Sequence, residues 1–316
     1  MASGTGQLDE LISTTFNKVK PVLADQITNE NPLLAALNSK SRVTVDGGLQ
    51  IVRPVLYAFN DTVGSYNGYD LIDTTPQDGF GNAVYDWKQY AGSVTIDGRT
   101  EKLNEGSPRI IAILQAKIEQ LRLSIEEDLN TMLWGNGSGN SSKDFSGIQA
   151  IVSDTTDLAG FDVDADATFW KSTVTDGLDL TTLDGVKDLN HMSNTLRLAK
   201  SKPDFEFTDQ EGYEAYEALA LPNLRFNDTN LARLGFETVA HKTAEVLFED
   251  DVPANKWYMI NSKFLEFVQK DNCWMDMLPF QQPVNQDAKT ALVISMGQLV
   301  TDVRRAHGRF DNVVSA

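Results

Sequence analysis

The sequence predicts an α+β fold on three observations: one helical period sustained from Ser107 to Trp134, two β-patterned runs ahead of it, and short helix and strand patterns interleaved behind it. In the long segment, apolar residues recur at Ile111, Leu114, Ile118, Leu121, Ile125, Leu129 and Met132, three or four apart, as one stripe along a helix. Ser107 is a good N-cap, Pro108 suits the first helical position, and Gly135 with Gly137 supplies the stop. At about 1.5 Å per residue the rod is roughly 40 Å long. Lys117, Glu119, Gln120, Arg122, Glu126 and Glu127 occupy the rest of its surface, which excludes a membrane span. Gly135 ends the stripe too early for a coiled coil. An amphipathic strut lying along a sheet is the role that remains.

The other elements follow in chain order. Residues 1–48 read as an extended arm: Leu8, Leu11, Ile12 and Phe16 share a face of a first short helix, and Asn31-Pro32-Leu33-Leu34 opens a second. Pro21 and the polar run from Thr28 to Asn31 separate them. LQIVRPVLYAF (49–59) alternates, with Ile51, Val55, Tyr57 and Phe59 on one face, and AVYDWKQYAGSVTI (83–96) is a second β-rich run. Residues 61–82 between them are rich in Gly, Asp and Thr, and so long a connection is either functional or misassigned. The whole of 49–98 therefore reads as a long two-stranded projection. A lone two-stranded ribbon is marginal in water, so its apolar face needs a partner, and a neighbouring copy of the chain is the obvious one.

Behind the helix, GNGSGNSSKDFSGIQAIVSD (135–154) is a flexible turn leading into a short apolar strand at Ile148–Val152. A helix is predicted at Leu183–Ala199, a strand at Asp204–Thr208 and a helix at Asp209–Ala220. Strands are predicted at Phe236–Thr238, Glu245–Phe248 and Trp257–Ile260. The tail 292–313 reads as two β segments crossing a turn near Gly297, with Met296, Leu299 and Val303 apolar.

Composition narrows the function. Forty-five Asp and Glu stand against 27 Lys and Arg, a formal charge of -18, with no strongly basic stretch. That charge lacks the cationic footprint of a nucleic-acid reader and keeps many copies soluble. The one cysteine, Cys273 beside Trp274, allows no intrachain disulfide and no thiol metal cluster, and reads as a buried small hydrophobe. The start MASGTGQLDELISTTF lacks a signal peptide's cationic and apolar regions, and no segment has the apolar length of a bilayer span. The expectation is a soluble protein made in a cytoplasm, without membrane contact.

No reaction chemistry stands out. Asp162, Asp164 and Asp166 occupy the first, third and fifth positions of a calcium loop, but Ala167 and Thr173 replace its Gly and Glu. GNGSGNSSK has the composition of a phosphate loop without its GxxxxGK[ST] spacing. His191, His241 and His307 are far apart and read as structural or surface residues. No catalytic, cofactor-binding or metal residue is singled out, and no cofactor is expected. An acidic α+β hydrolase remains as a competing class, but it leaves the projection unexplained.

The order of parts (arm, long β projection, long helix, Gly-rich turn, mixed α/β region, closing β segment) resembles the major capsid proteins of tailed phages, with the Hong Kong ninety-seven-like fold. The resemblance is carried by GNGSGNSSKDFSGI after the helix, by FETVAHKTAEVLFEDDVPANKWYMINSKFLEFV (236–268) and by MLPFQQPVNQDAKTALVISMGQLVTDVRRAHGRF (277–310). It implies an N-terminal arm at 1–48, an E-loop at 49–98, a peripheral (P) domain at 99–182 with its spine helix at 107–134, an axial (A) domain at 183–262, and a return to the P domain at 263–316. It further implies a non-enzymatic virion protein, assembled in the host cytoplasm, whose hexamers and pentamers form an icosahedral head around double-stranded DNA. Its partners would be further copies of itself, a portal, a decoration protein, and a separate scaffolding protein, since no charge-rich helical segment precedes the arm. Covalent Lys–Asn bonds occur in some relatives; Lys88 is the donor such a bond would use, with no matching Asn or Glu identifiable. An encapsulin-like compartment shares the fold and is the alternative. Exposed aromatics anchor interfaces, so intersubunit contact is expected of Tyr57, Phe59, Tyr66, Tyr69, Phe80, Tyr85, Trp87 and Tyr90. Burial within their own subunit is the even alternative for Tyr57, Tyr85 and Trp87.

Overall fold

The computed structural model describes residues 31–40, 42–45, 47–99, 107–164, 169–220, 239–284 and 286–314. The expected helix around Leu8–Phe16 and the strand at Phe236–Thr238 lie outside them. The elements are α1 (Pro32–Lys40), β1 (Arg42–Val45), β2 (Gln50–Leu56), β3 (Phe80–Asp86), β4 (Lys88–Asp97), α2 (Ser107–Trp134), α3 (Ile148–Ile151), β5 (Thr173–Asp179), α4 (Leu183–Thr195), β6 (Phe205–Thr208) and α5 (Gln210–Ala220). β7 (Val239–His241), β8 (Ala244–Phe248), β9 (Lys256–Ile260), β10 (Leu265–Lys270), β11 (Asp276–Met277), β12 (Ala288–Thr301) and β13 (Gly308–Val314) complete the fold.

Three sheets result. A central sheet runs β1-β10-β12-β11, and β12 carries β4 antiparallel along its other side from Ala288↔Asp97 to Gly297↔Lys88. A second sheet runs β5-β13-β9-β6-β8-β7, parallel at β13/β5 and β6/β8. The third is the hairpin β2-β3, laddered from Gln50↔Asp86 to Leu56↔Phe80. Mixed pairing and interleaved helices make this an α+β fold.

The long helix is a strut along a sheet. Ile118, Ile125 and Leu129 are buried with Ile96 of β4 and Val293 of β12, while Leu133 and Trp134 at its end join a second cluster with Leu33, Phe207 and Tyr258. Trp134 sits 5.4 Å from both the Phe207 and Tyr258 rings. Leu121 and Met132 are half-buried; the side chains of Ile111 and Leu114 lie outside the described residues. Arg122, expected on the polar face, is buried and held by Glu119 at 2.9 Å and Glu126 at 3.2 Å, one turn to either side. After the helix the chain doubles back beneath it at Gly147, where a Cβ would lie 2.4 Å from the Gly135 carbonyl oxygen and 2.5 Å from that of Leu133.

Four sequence expectations are corrected. Ile148–Ile151 is a helical turn, not a strand, because a short apolar run has no period that distinguishes the two. The run 83–96 is two strands: β3 closes the hairpin, and after Trp87 the chain crosses to the central sheet as β4. The predicted helix to Ala199 stops at Thr195. The tail does not turn at Gly297: β12 runs straight through it and the reversal comes at Arg304–Ala306. A Cβ at Gly297 would meet the Val268 carbonyl oxygen at 2.9 Å, so that glycine serves close strand packing.

The reversal is where the fold is tied together. Arg304 is fully buried and donates from Nε to Ile151 O (2.9 Å), from Nη1 to Thr156 O (2.8 Å) and Trp170 O (3.2 Å), and from Nη2 to Ala150 O (2.7 Å). Burial pulls its pKa down to about 10. Ser172 Oγ closes the knot against the carbonyls of Arg304 and Ile151, each at 3.0 Å. Nearby, the buried His307 accepts from Asn261 N at Nδ1 (3.3 Å), so its proton sits on Nε2, facing Thr301 Oγ1 at 3.1 Å; burial pulls its pKa down to about 4.

Glu249, at the end of β8, is buried with Trp134, Asn130 and the Leu33 amide facing it, yet neither carboxyl oxygen has a hydrogen bond of ordinary geometry. Burial pushes its pKa up to about 8. A carboxyl raised in this way holds its proton more tightly in the folded chain. The stability it contributes is complete below its ordinary value of 4.5 and is lost as pH rises through about 8. His307 works in the opposite sense, and its contribution is complete above 6.5. Above that pH, Tm of the wild-type chain is expected to fall as pH rises, and Glu249→Gln to flatten the fall. Parallel slopes for the two chains in thermal unfolding across this window would refute the assignment.

Candidate assembly surface

The hairpin is fixed at its base and bare at its tip. At the base, Tyr85 is 3% exposed and its hydroxyl donates to Thr301 O (2.9 Å) while accepting from Thr301 N (3.2 Å). Arg53 pairs with Glu266 and lies 3.8 Å from Asp302, tying β2 to the central sheet. Burial pushes both of these carboxyls upward in pKa, against the pull of Arg53. Val84 N donates to Ala159 O (2.9 Å), Trp87 Nε1 to Gly48 O (3.0 Å), and Tyr57 stacks on Phe169 with ring centroids 5.0 Å apart.

Beyond Leu56↔Phe80 the ladder ends after two further bonds to Gly79 O, from Tyr57 N at 2.9 Å and from Ala58 N at 3.5 Å. The tip is shaped instead by local side-chain turns. Asn60 Oδ1 accepts from Thr62 N (2.9 Å), Asp73 Oδ1 from Thr75 N (2.9 Å), and Asp70 Oδ2 from Asn67 N (2.8 Å). These turns leave apolar side chains in water: Phe59 is 84% exposed, Tyr66 66% and Phe80 73%, and Tyr69, Val63, Leu71 and Ile72 are exposed with them. Most of the exposed large apolar side chains of the described residues lie between Leu49 and Phe80. Monomeric proteins rarely keep so large an apolar patch unless it meets something.

The eight aromatics predicted for contact thus divide. Phe59, Tyr66, Tyr69 and Phe80 are at the exposed tip, and Tyr57 is at its edge. For Tyr85 the expected contact is corrected in favour of its even alternative, since it is buried in its own chain opposite Ile51. Trp87 and Tyr90 are half-buried against their own core, and the Tyr90 hydroxyl faces Asp128 of α2 at 3.3 Å. Burial and Asp128 push the Tyr90 pKa upward. Sequence reasoning missed Leu71 and Ile72, although their place in a stretch without strand alternation was a usable signal. Lys88 is at the base, donating to Ser142 O.

Of the residues that could have carried chemistry, His241 and Asp162 are engaged structurally, and Asp166 and Ala167 lie outside the described residues. Glu206, fully buried, is shared by His241 Nδ1 at 2.6 Å and Trp257 Nε1 at 2.9 Å. Asp162 Oδ1 accepts from Asp164 N at 2.8 Å. Among the described residues no group of three or more His, Cys, Asp or Glu is placed to hold a metal ion, and no helix is long and apolar enough to cross a membrane.

No protein-family model and no curated protein sequence matches the chain. Solved structures do match. A capsid protein of cyanophage A-1(L) aligns over 90% of this chain and 93% of its own, with TM-score 0.67 at 14% identity. An encapsulin of Synechococcus elongatus, from the holo-SrpI encapsulin complex, aligns over 89% and 87%, with TM-score 0.55 at 14% identity. A protein of Mycobacterium phage Adephagia aligns over 89% and 90%, with TM-score 0.54 at 10% identity. With its hairpin, long helix and two sheets in this order, the chain has the Hong Kong ninety-seven-like fold of phage capsid proteins.

Proposed function

We propose that this chain is the major capsid protein of a tailed phage, a shell subunit whose hexamers and pentamers enclose double-stranded DNA. The observation that carries the reading is the exposed apolar hairpin tip on a chain that otherwise buries its large side chains well. Such a tip is costly in a monomer and useful in a lattice, where each subunit contributes the same modest contact many times. In this reading the hairpin 49–87 is the E-loop, shorter than the 49–98 expected because β4 belongs to the central sheet, 107–134 is the spine helix of the P domain, and 183–262 the core of the A domain. The charge of -18 suits an inner wall that encloses a polyanion without holding it.

Purified full-length protein is expected to form closed or tubular particles in negative-stain microscopy. Replacing residues 61–78 with a short turn should leave a soluble chain of unchanged Tm that closes no shells; normal particles from that variant would refute the tip's role. The encapsulin match supports a second reading, a protein compartment. The contents of particles recovered from the producing cell separate the two: nuclease-protected double-stranded DNA for a head, a protein cargo for a compartment.

A further inference from the structure

The chain contains two Asn-Gly pairs, Asn67-Gly68 at the hairpin tip and Asn136-Gly137 after the long helix. In such a pair the glycine nitrogen can attack the asparagine side chain, because glycine has no Cβ to shield that nitrogen or to restrict the backbone rotation the attack needs. The structure separates the two pairs.

At the tip, Asn67 is exposed and its side-chain amide has no hydrogen-bond partner among the described residues. The Gly68 nitrogen donates to no acceptor among them either. A Cβ at Gly68 would meet nothing within 4 Å, so a ring has room to close there. The Asn67 carbonyl accepts from Asp70 N at 2.7 Å. That bond polarises the peptide group to which Gly68 N belongs and makes its N–H more acidic. After the long helix the situation is reversed. Asn136 Oδ1 accepts from Ser138 N (3.0 Å) and Ser138 Oγ (2.7 Å), which holds the side chain in one orientation. Gly137 has a φ of 77° and is packed: a Cβ there would lie 3.1 Å from Ser146 Cα and 3.2 Å from Phe145 O.

We propose that Asn67-Gly68 is a self-modifying site, where asparagine converts to aspartate and isoaspartate without an enzyme, while Asn136-Gly137 is held out of the same reaction. The Gly68 nitrogen gives its proton to solvent base and bonds to Asn67 Cγ; the side-chain nitrogen takes up a proton and leaves as ammonia. The product is a cyclic imide, which one water opens. Cleavage between Cγ and the Gly68 nitrogen gives aspartate. Cleavage between that nitrogen and the main-chain carbonyl carbon gives isoaspartate, whose backbone runs through Cγ and is one carbon longer. Either product sets a new negative charge between the exposed Tyr66 and Tyr69, on a tip that already carries Asp61, Asp70, Asp73 and Asp78. The chemistry stands apart from the shell reading, but its consequence rests on it: the free subunit is modified on its adhesive surface, and assembly protects it.

The test follows mass rather than assembly. Purified full-length protein is held at mildly alkaline pH, sampled over weeks, and mapped by mass spectrometry after proteolysis. The fragment holding Asn67 is expected to gain about 1 Da and to split into two species, one of which accepts a methyl group from an isoaspartyl methyltransferase. The fragment holding Asn136 should convert about tenfold more slowly or less. Gly68→Ala should slow conversion at Asn67 by about tenfold or more. Its Tm should stay at the wild-type value, since the added methyl meets open space and Gly68 is not among the glycines of positive φ. An Asn67 that stays intact, equal rates at the two pairs, or an unchanged rate in Gly68→Ala would overturn the proposal. In assembled particles Asn67 is expected to convert more slowly than in free subunits, and equal rates would overturn the protection. Failure of the wild-type chain to assemble under any condition would instead remove the shell reading and leave the mass result standing.

Discussion

Arg304→Met is expected to unfold the subunit. The guanidinium is the donor for the carbonyls of Ala150, Ile151, Thr156 and Trp170, all in the stretch between the long helix and β5. A methionine of similar length fills the space and strands those oxygens; a buried acceptor left without a donor costs about 1–3 kcal/mol. Even with partial relaxation the loss is several kcal/mol, against a total of about 5–15 kcal/mol for a typical domain. Arg304→Lys should be nearly as damaging, because one ammonium cannot reproduce a planar fork spread over four acceptors. Soluble yield and Tm are the measurements, and a Tm within a few degrees of wild type would show that the four bonds are not needed.

Ile125→Asp is expected to be equally severe, and a neighbour provides its control. Ile125 is 1% exposed in the cluster that joins the long helix to Ile96 and Val293, so the variant loses its packing and buries an unpaired charge. Leu123, two residues earlier, faces outward. Leu123→Asp should therefore fold with near wild-type Tm, whatever it does to assembly. Equal destabilisation of the two would mean that the stripe is not the face that packs.

These effects divide into those the sequence announces and those it does not. The strut was legible because its stripe repeats at the helical period and both ends are punctuated. The α+β class was legible because each period runs long enough to distinguish. β1 and β5 were not, since both are edge strands with little alternation to read. The Arg304 knot was invisible in principle: it joins residues more than 130 positions apart, and nothing local distinguishes Arg304 from the exposed Arg305 beside it.

Within the candidate surface, the tip's exposure followed from the missing strand pattern over 61–79. For Tyr85 the sequence left contact and burial as even alternatives although a deciding signal existed. Tyr85 shares strand parity with Ala83, which is buried, and stands across the ladder from Ile51, which the sequence put on the apolar face of the first run.

One consequence of the second sheet concerns timing. β13 lies between β5 and β9, and among the described residues β5 has no other strand beside it. During synthesis β5 is made well over a hundred residues before its only neighbour, and the Arg304 knot waits for almost the same point in the chain. Until residues 308–314 have been made, the sheet stays in two pieces and the body that carries the hairpin is unfinished. In a nascent chain the exposed hairpin tip is therefore made before the frame beneath it is complete. Closure of the second sheet therefore depends on residues 308–314, and in the shell reading only chains that carry them hold the hairpin on a finished frame.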